Sequence, residues 1–195
     1  MHVAVQTNEI VNSIAAEAYE RLMQKARGLR NDHLLASMLA SRLAGIGSMP
    51  SHLGMTASAY SEMMRMHFGG VELPLDYMVE VKPDEQRIPE QDELRSLLLA
   101  HRSDPSSAGE WMAQIVVSGC MGGDHLWQDL GLWSRKDLTV LMQTNFLQLA
   151  QKNDRDMKWK KFLYKQLCLS EGIYVCRSPS CEICPDYQAC FGPED

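Results

Sequence analysis

Four cysteines near the end of the chain have the residue type and spacing for metal chemistry. They follow the pattern C-x4-C-x2-C-x5-C and are Cys176, Cys181, Cys184 and Cys190. Thiolates from so compact a loop can surround one inorganic core, as they do in iron–sulfur proteins. The first three share the spacing of plant-type ferredoxins, and Pro185 follows a cysteine as in bacterial ferredoxins. The pattern therefore predicts a metal-cluster site of unspecified nuclearity.

Zinc and disulfide bonds are the other chemistries open to these thiols. Zinc usually takes four thiolates from two C-x2-C pairs separated by about a dozen or more residues, whereas this loop has one such pair. The residues after Met1 lack the basic start and apolar run of a signal peptide. We therefore expect a cytoplasmic protein with reduced thiols, and the spacing favours a cluster over zinc.

Composition limits the other classes of function. The 195 residues suit one domain, or one domain plus a small module. The net charge of -6 gives no reason to expect duplex nucleic acid as a partner, because such binding normally needs a basic face. No apolar run approaches the roughly 20 residues of a membrane span. We expect neither nucleic acid nor membrane as a partner.

The elements that must position the cysteines are helices, because apolar residues recur at spacings of three and four while strand-like alternation is nearly absent. The predicted fold is all-α, a multi-helix domain closed by a C-terminal four-cysteine cluster-binding loop. Its expected parts are N-terminal helices (1–70), a Pro-rich acidic connector (71–91), C-terminal helices (92–171) and the cluster-binding loop (172–195).

Caps and breakers set the expected helix bounds. The connector is expected to hold an extended segment at 77–81. The predicted helices run from Thr7 or Asn8 to Gly28, from Asp32 to near Gly45, from Thr56 to Gly69, over 90–101 and 107–120, from a capping box at Ser134 and Asp137 to about Leu149, and over 156–169.

Basic residues accompany the cysteines. Arg177 lies within the loop, and Lys158, Lys161 and Lys165 share one face of the preceding helix. A solvated basic face is the favoured interpretation. An anion-attracting or docking surface beside an anionic cluster is the alternative.

Two stretches beside the cysteine loop carry a family resemblance. They are the run DMKWKKFLYKQLC at 156–168 and the run CMGGDHLWQDLG at 120–131, with FGPE at 191–194. Together with the C-x4-C-x2-C-x5-C signature, they make the chain resemble the NifQ family of nitrogen-fixation proteins. The likeness covers roughly residues 108–194 closely and the N-terminal helices only in general character.

The resemblance implies a function that the spacing alone does not give. It implies an iron–sulfur protein that holds molybdenum in a [Mo-3Fe-4S]-type cluster and donates it for assembly of the nitrogenase iron–molybdenum cofactor. Its implied partners are the cofactor scaffold complex NifEN, the nitrogenase iron protein NifH, and molybdate or another molybdenum source. Such a protein is a metal donor rather than a turnover enzyme.

Two other classes of protein are weighed against this one. A DNA-repair glycosylase of the endonuclease-III type is also helical with a C-terminal cysteine cluster, but its first cysteine gap is longer. It also needs a helix-hairpin-helix motif, which the sequence lacks, and a basic DNA-binding face, which the net charge of -6 disfavours. The second alternative is a zinc-stabilised interaction module.

We expect the four loop cysteines to ligate the metals and a non-thiolate group to complete the molybdenum side, because molybdenum commonly keeps harder ligands. His125 lies in a glycine-flanked segment between Asp124 and Asp129, which we predict to pack near the cysteine loop. His125 is the candidate ligand. The alternative, which the residues slightly favour, is that Asp124 caps a short helix and His125 bonds a backbone carbonyl. Cys120 and Cys168 are expected to act as small buried apolar residues.

Overall fold

The structure, a computed structural model, describes residues 2–73, 88–170 and 187–192. Every regular element in these ranges is helical, as the sequence predicts. The elements are α1 (His2–Met23), α2 (Asp32–Leu43), a 3-10 turn (Ser51–Gly54), α3 (Ala57–Phe68), α4 (Ile88–Ala100), α5 (Ser107–Cys120), α6 (Leu126–Asp129), α7 (Arg135–Asn145), α8 (Leu147–Lys152), α9 (Trp159–Ser170) and α10 (Tyr187–Phe191).

Helix α5 is the centre of the core. Its apolar residues are buried along most of its length, including Trp111, Met112, Ile115 and Val116. Helix α4 packs on α5 and also contacts α9, while α2 packs against α1. Because α5 ends at Cys120, the chain leaves the core at the point where the glycine-containing 121–125 segment begins.

Capping residues set two helix starts as predicted. The Thr56 hydroxyl accepts a hydrogen bond from the Ala59 N–H at 3.2 Å, and α3 ends at Gly69 in the left-handed region (φ 64°). The Ser134 hydroxyl accepts from the Asp137 N–H at 3.2 Å and starts α7. In both cases a side chain replaces the acceptor that a first-turn N–H lacks.

Two helix starts differ clearly from the prediction. Helix α1 already starts at His2, so the predicted cap at Thr7 or Asn8 is wrong; no glycine or proline interrupts residues 2–7. Helix α9 starts at Trp159 instead of Asp156, because Asp156 has a positive φ of 53°. The Asn153 side chain accepts from the Met157 N–H and donates to the Met157 carbonyl, which holds this turn.

The helix expected after Ser134 is divided in two. Phe146 has φ -139° and ψ 51°, which separates α7 from α8. Just before it, the buried Asn145 amide donates to Asn31 Oδ1 at 3.0 Å and accepts from Asn31 Nδ2 at 2.8 Å. These hydrogen bonds between two side-chain amides far apart in sequence, together with the burial of Phe146, hold the break between α7 and α8 in place.

The connector and the cysteine loop are described only at their ends. Residues 74–87, with the expected extended segment at 77–81, lie outside the described residues. Helix α4 starts at Ile88 and has Pro89 in its first turn, where the missing N–H costs no helical hydrogen bond. Among the helices in the described ranges, none combines the length and apolar character needed to cross a bilayer.

Candidate metal-binding site

Cys190 is the member of the cysteine set that the structure places. It lies on α10, half-buried, with a free thiol. The backbone N–H of Lys158 donates to the Cys190 carbonyl at 2.8 Å, which ties α10 to the start of α9. Cys176, Cys181 and Cys184 lie outside the described residues.

A cavity of about 300 Å³ lies beside Ala189, the residue before Cys190. It is lined by the Gly123–Leu126 turn, by Lys158, Lys160 and Lys161, and by Ala189 of α10. The 121–125 segment, the start of α9 and the last described part of the cysteine segment therefore meet at one place. The Gly123–Leu126 turn and α10, the helix that contains Cys190, therefore line the same cavity.

The buried Asp129 carboxylate holds this turn in shape. Its Oδ1 accepts from the Ser48 hydroxyl at 2.7 Å, and its Oδ2 accepts from the Asp124 N–H at 3.0 Å and from the Lys160 ammonium. Lys160 also donates to the Gly122 carbonyl at 2.9 Å. Asp129 is 1% exposed, and a buried polar group is costly unless it is hydrogen-bonded, so these three donors stabilise the turn. We therefore interpret Asp129 as the anchor of the turn and not as a metal ligand.

Gly122 permits this close packing. A Cβ at this position would collide with the Asp129 carboxylate and the Ser48 hydroxyl. Ser48 and Lys160 are site residues that the sequence did not indicate. Ser48 is 81 positions from Asp129 and belongs to no local motif, so only the tertiary fold brings them together.

His125 takes the N-cap position of α6, a place that the sequence had offered to Asp124. Its φ of -65° and ψ of 146° are those of an N-cap, and its backbone N–H donates to Gln128 Oε1 at 3.2 Å. The half-buried His125 and the exposed Asp124 both line the cavity. The turn thus places an imidazole and a carboxylate beside α10.

The basic residues divide between two cavities. Lys158 and Lys161 line the first, together with Lys160, whereas Lys165 lines a second one of about 160 Å³ with Arg155 and Phe191. Helix α10 therefore has cationic side chains near both Ala189 and Phe191. Of the remaining cysteines, Cys120 is buried in the core and Cys168 is half-buried on α9.

The donor chemistry at this site fits a thiolate-bound metal cluster. Cys190, half-buried and with a free thiol, follows Ala189, which lines a cavity together with lysines whose ammonium groups could offset the negative charge of a thiolate cluster. Imidazole and carboxylate donors of the kind that suit a harder metal line the neighbouring cavity. Within the described ranges, no three potential ligands already converge on a metal position.

Comparisons with known proteins identify the family. The sequence model of the NifQ family matches residues 34–192. The chain belongs to the NifQ family. It is 46% identical to the protein NifQ of Azotobacter vinelandii over 182 residues, which cover 88% of this chain and 93% of that one. It is 38% identical to the protein NifQ of Klebsiella pneumoniae over 157 residues, covering 76% of this chain and 90% of that one. No solved structure matches the chain significantly.

Membership of the NifQ family supports a role in nitrogen fixation and in biosynthesis of the nitrogenase iron–molybdenum cofactor. It also favours the metallocluster hypothesis over the DNA-repair glycosylase that the sequence had left as an alternative. The match spans the Gly123–Leu126 turn, α9 and α10, which are the parts that form the cavity.

Proposed function

We propose that this protein carries an iron–sulfur cluster containing molybdenum and donates the molybdenum for assembly of the nitrogenase iron–molybdenum cofactor. The observation that carries the proposal is the position of Cys190. Its thiol belongs to a four-cysteine loop and lies on a short helix beside a cavity with cationic, imidazole and carboxylate groups. Family membership supports the same function.

In this proposal the metals are cargo. Cys176, Cys181, Cys184 and Cys190 hold the iron side, and His125 supplies a nitrogen donor on the molybdenum side. A [Mo-3Fe-4S]-type cluster satisfies both donor types. The protein performs no catalytic turnover and works in the cytoplasm, where thiols stay reduced.

Transfer of the cargo needs partners. We propose the scaffold complex NifEN as acceptor, the nitrogenase iron protein NifH as a participant, and molybdate or another molybdenum source as donor. A half-buried site at the edge of the core suits such transfer, because a partner can reach its ligands without opening the core.

The first prediction tests the thiolate set. Serine at any one of the four loop cysteines should reduce bound iron by at least about half and abolish molybdenum donation, because cluster-binding loops use all their thiolates. Protein purified anaerobically is assayed for iron, molybdenum and sulfide, examined by EPR, and tested as a donor to NifEN and NifH. Cys168→Ser is the matched control, since Cys168 is half-buried on α9 outside the loop.

The same assay separates the proposal from the zinc-stabilised module. A brown protein that loses its colour in oxygen has a cluster, whereas a colourless protein with one bound zinc does not. Full metal content and full donor activity in two of the loop variants would contradict the assignment of these cysteines.

A further inference from the structure

The cavity beside Cys190 has an excess of positive side chains. Lys158, Lys160 and Lys161 line it together with the exposed Asp124, and Lys160 is also paired with the buried Asp129 behind the turn, so the ammonium groups exceed the nearby carboxylates by one. The whole chain, by contrast, has a net charge of -6. A local reversal of sign in a concave site concentrates anions there.

The lysines of the cavity differ in how they are held. Lys160 is fixed by the buried Asp129 carboxylate and the Gly122 carbonyl. The Lys158 ammonium lies 3.5 Å from the Gln188 carbonyl. Within the described ranges, the exposed Lys161 makes no hydrogen bond or ion pair. The site thus combines two positioned ammonium groups with one that remains available to a ligand.

The space and the backbone suit a small anion. A cavity of about 300 Å³ is large enough for an anion of four oxygens and part of its hydration shell, because a water molecule takes roughly 30 Å³. A Cβ at Gly123 would meet nothing within 4 Å, so the backbone is open to the cavity at that point. Compact ammonium groups favour small, strongly charged oxyanions.

We infer that this cavity binds a tetrahedral dianionic oxyanion through Lys158, Lys160 and Lys161. Molybdate is the member of this class that a molybdenum carrier would take up, and that identification rests on the proposed function. The sign and the approximate size of the anion rest on the cavity alone. An oxyanion held here would lie beside Ala189 of α10, the residue before Cys190.

The experiment uses the full chain, purified anaerobically, and measures binding of molybdate and of tungstate by equilibrium dialysis with metal analysis at low ionic strength. Tungstate has the same charge and shape. Lys161→Gln should weaken binding of both anions about tenfold, because a charge-assisted contact is lost. Asp124→Asn should strengthen binding, because it removes the negative charge from the lining.

Lys165→Gln is the matched control. Lys165 is exposed on the same helix but lines the second cavity, so its loss should change the affinity less than twofold. If Lys161→Gln and Lys165→Gln weaken binding equally, the anion is attracted by the positive charge of the whole helix and not bound in this cavity. That result would overturn the inference. Unchanged affinity in Lys161→Gln would overturn it as well.

A cysteine variant separates this inference from the proposed function. Cys184→Ser should bind tungstate as the wild type does, even when it lacks iron, because the cavity lysines are intact. Wild-type protein that carries iron and molybdenum but binds neither oxyanion at Lys161 would refute the oxyanion site alone. Lysine-dependent tungstate binding by a protein that never acquires iron would refute the carrier function and support the oxyanion site.

Discussion

Single residues around the cavity have one of two roles. Some side chains stabilise the turn through hydrogen bonds, and others line the cavity and can contact a ligand. Both carboxylate oxygens of Asp129 accept hydrogen bonds, from Ser48, Asp124 and Lys160, so this side chain stabilises the turn. His125, three positions before Gln128 and at the start of α6, lines the cavity instead. The sequence favoured His125 over Asp129 as a ligand, and the contacts of Asp129 explain why its carboxylate is not available to a metal.

Replacement of His125 tests whether its ring is a molybdenum ligand. His125→Ala should lower bound molybdenum by at least about fivefold and leave iron unchanged, because an imidazole donor is removed while the thiolates remain. Iron and molybdenum are quantified separately in the anaerobically purified protein.

His125→Asn is the control for a structural effect, because asparagine serves as an N-cap but lacks the imidazole. It should lose molybdenum as alanine does while keeping the thermal midpoint of the wild type. Normal molybdenum content in His125→Asn would show that the ring has only a structural role.

At the scale of elements, the site depends on how the turn after α2 packs against α6. Ser48 N–H donates to the Asp129 carbonyl at 3.0 Å, and Gly47 has a φ of 82°. A Cβ at Gly47 would lie 2.9 Å from the Gln128 carbonyl oxygen and 3.0 Å from the Asp129 carbonyl oxygen. The backbones of two distant segments are therefore in direct contact behind the cavity.

Gly47→Ala should lower the free energy of unfolding by about 2–4 kcal/mol, because it adds a backbone clash to the strain of a positive φ. Gly28→Ala is the matched control. Gly28 also has a positive φ, of 77°, but a Cβ there would meet nothing within 4 Å. Its loss should be only about 1 kcal/mol. Urea unfolding measures both, and equal losses would show that the packing of Gly47 contributes nothing.

The elements also show where sequence patterns are sufficient. Thr56 and Ser134 cap helices through residues three positions away, so a local pattern predicts them. The break at Phe146 depends on the pairing of Asn145 with Asn31, which is 114 positions away. Such a contact leaves no trace in helical periodicity.

The candidate site divides in the same way. The thiolate spacing and the resemblance to the NifQ family are local and could be recognised in the sequence. The cavity joins the turn after α5, the start of α9 and α10, so its lining could not be predicted from any one segment. Lys160 illustrates this, because its role depends on the buried Asp129 and not on its place in the helical pattern.

At the scale of the whole molecule, the described residues form a continuous hydrophobic core of their own. Its fully buried side chains are spread from α1 to α9, among them Leu22, Met38, Met112, Phe146 and Leu163. Cys190 and Phe191 only pack against this core from the edge. Metal binding would therefore add to helices that already bury their apolar residues in the described part of the chain, unlike a small zinc module that folds only around its ion.

The last prediction follows from the core that the described helices form among themselves. Removing the metals with a chelator should leave the far-UV circular dichroism spectrum within about a tenth of its holo amplitude and preserve cooperative urea unfolding. The thermal midpoint should fall by no more than about 10 °C, because only the binding free energy is lost. Cys184→Ser supplies the matched case: without the cluster, its midpoint should equal that of the chelated wild type and should not respond to chelator. Loss of half of the helical signal on chelation would show instead that the metal organises the core.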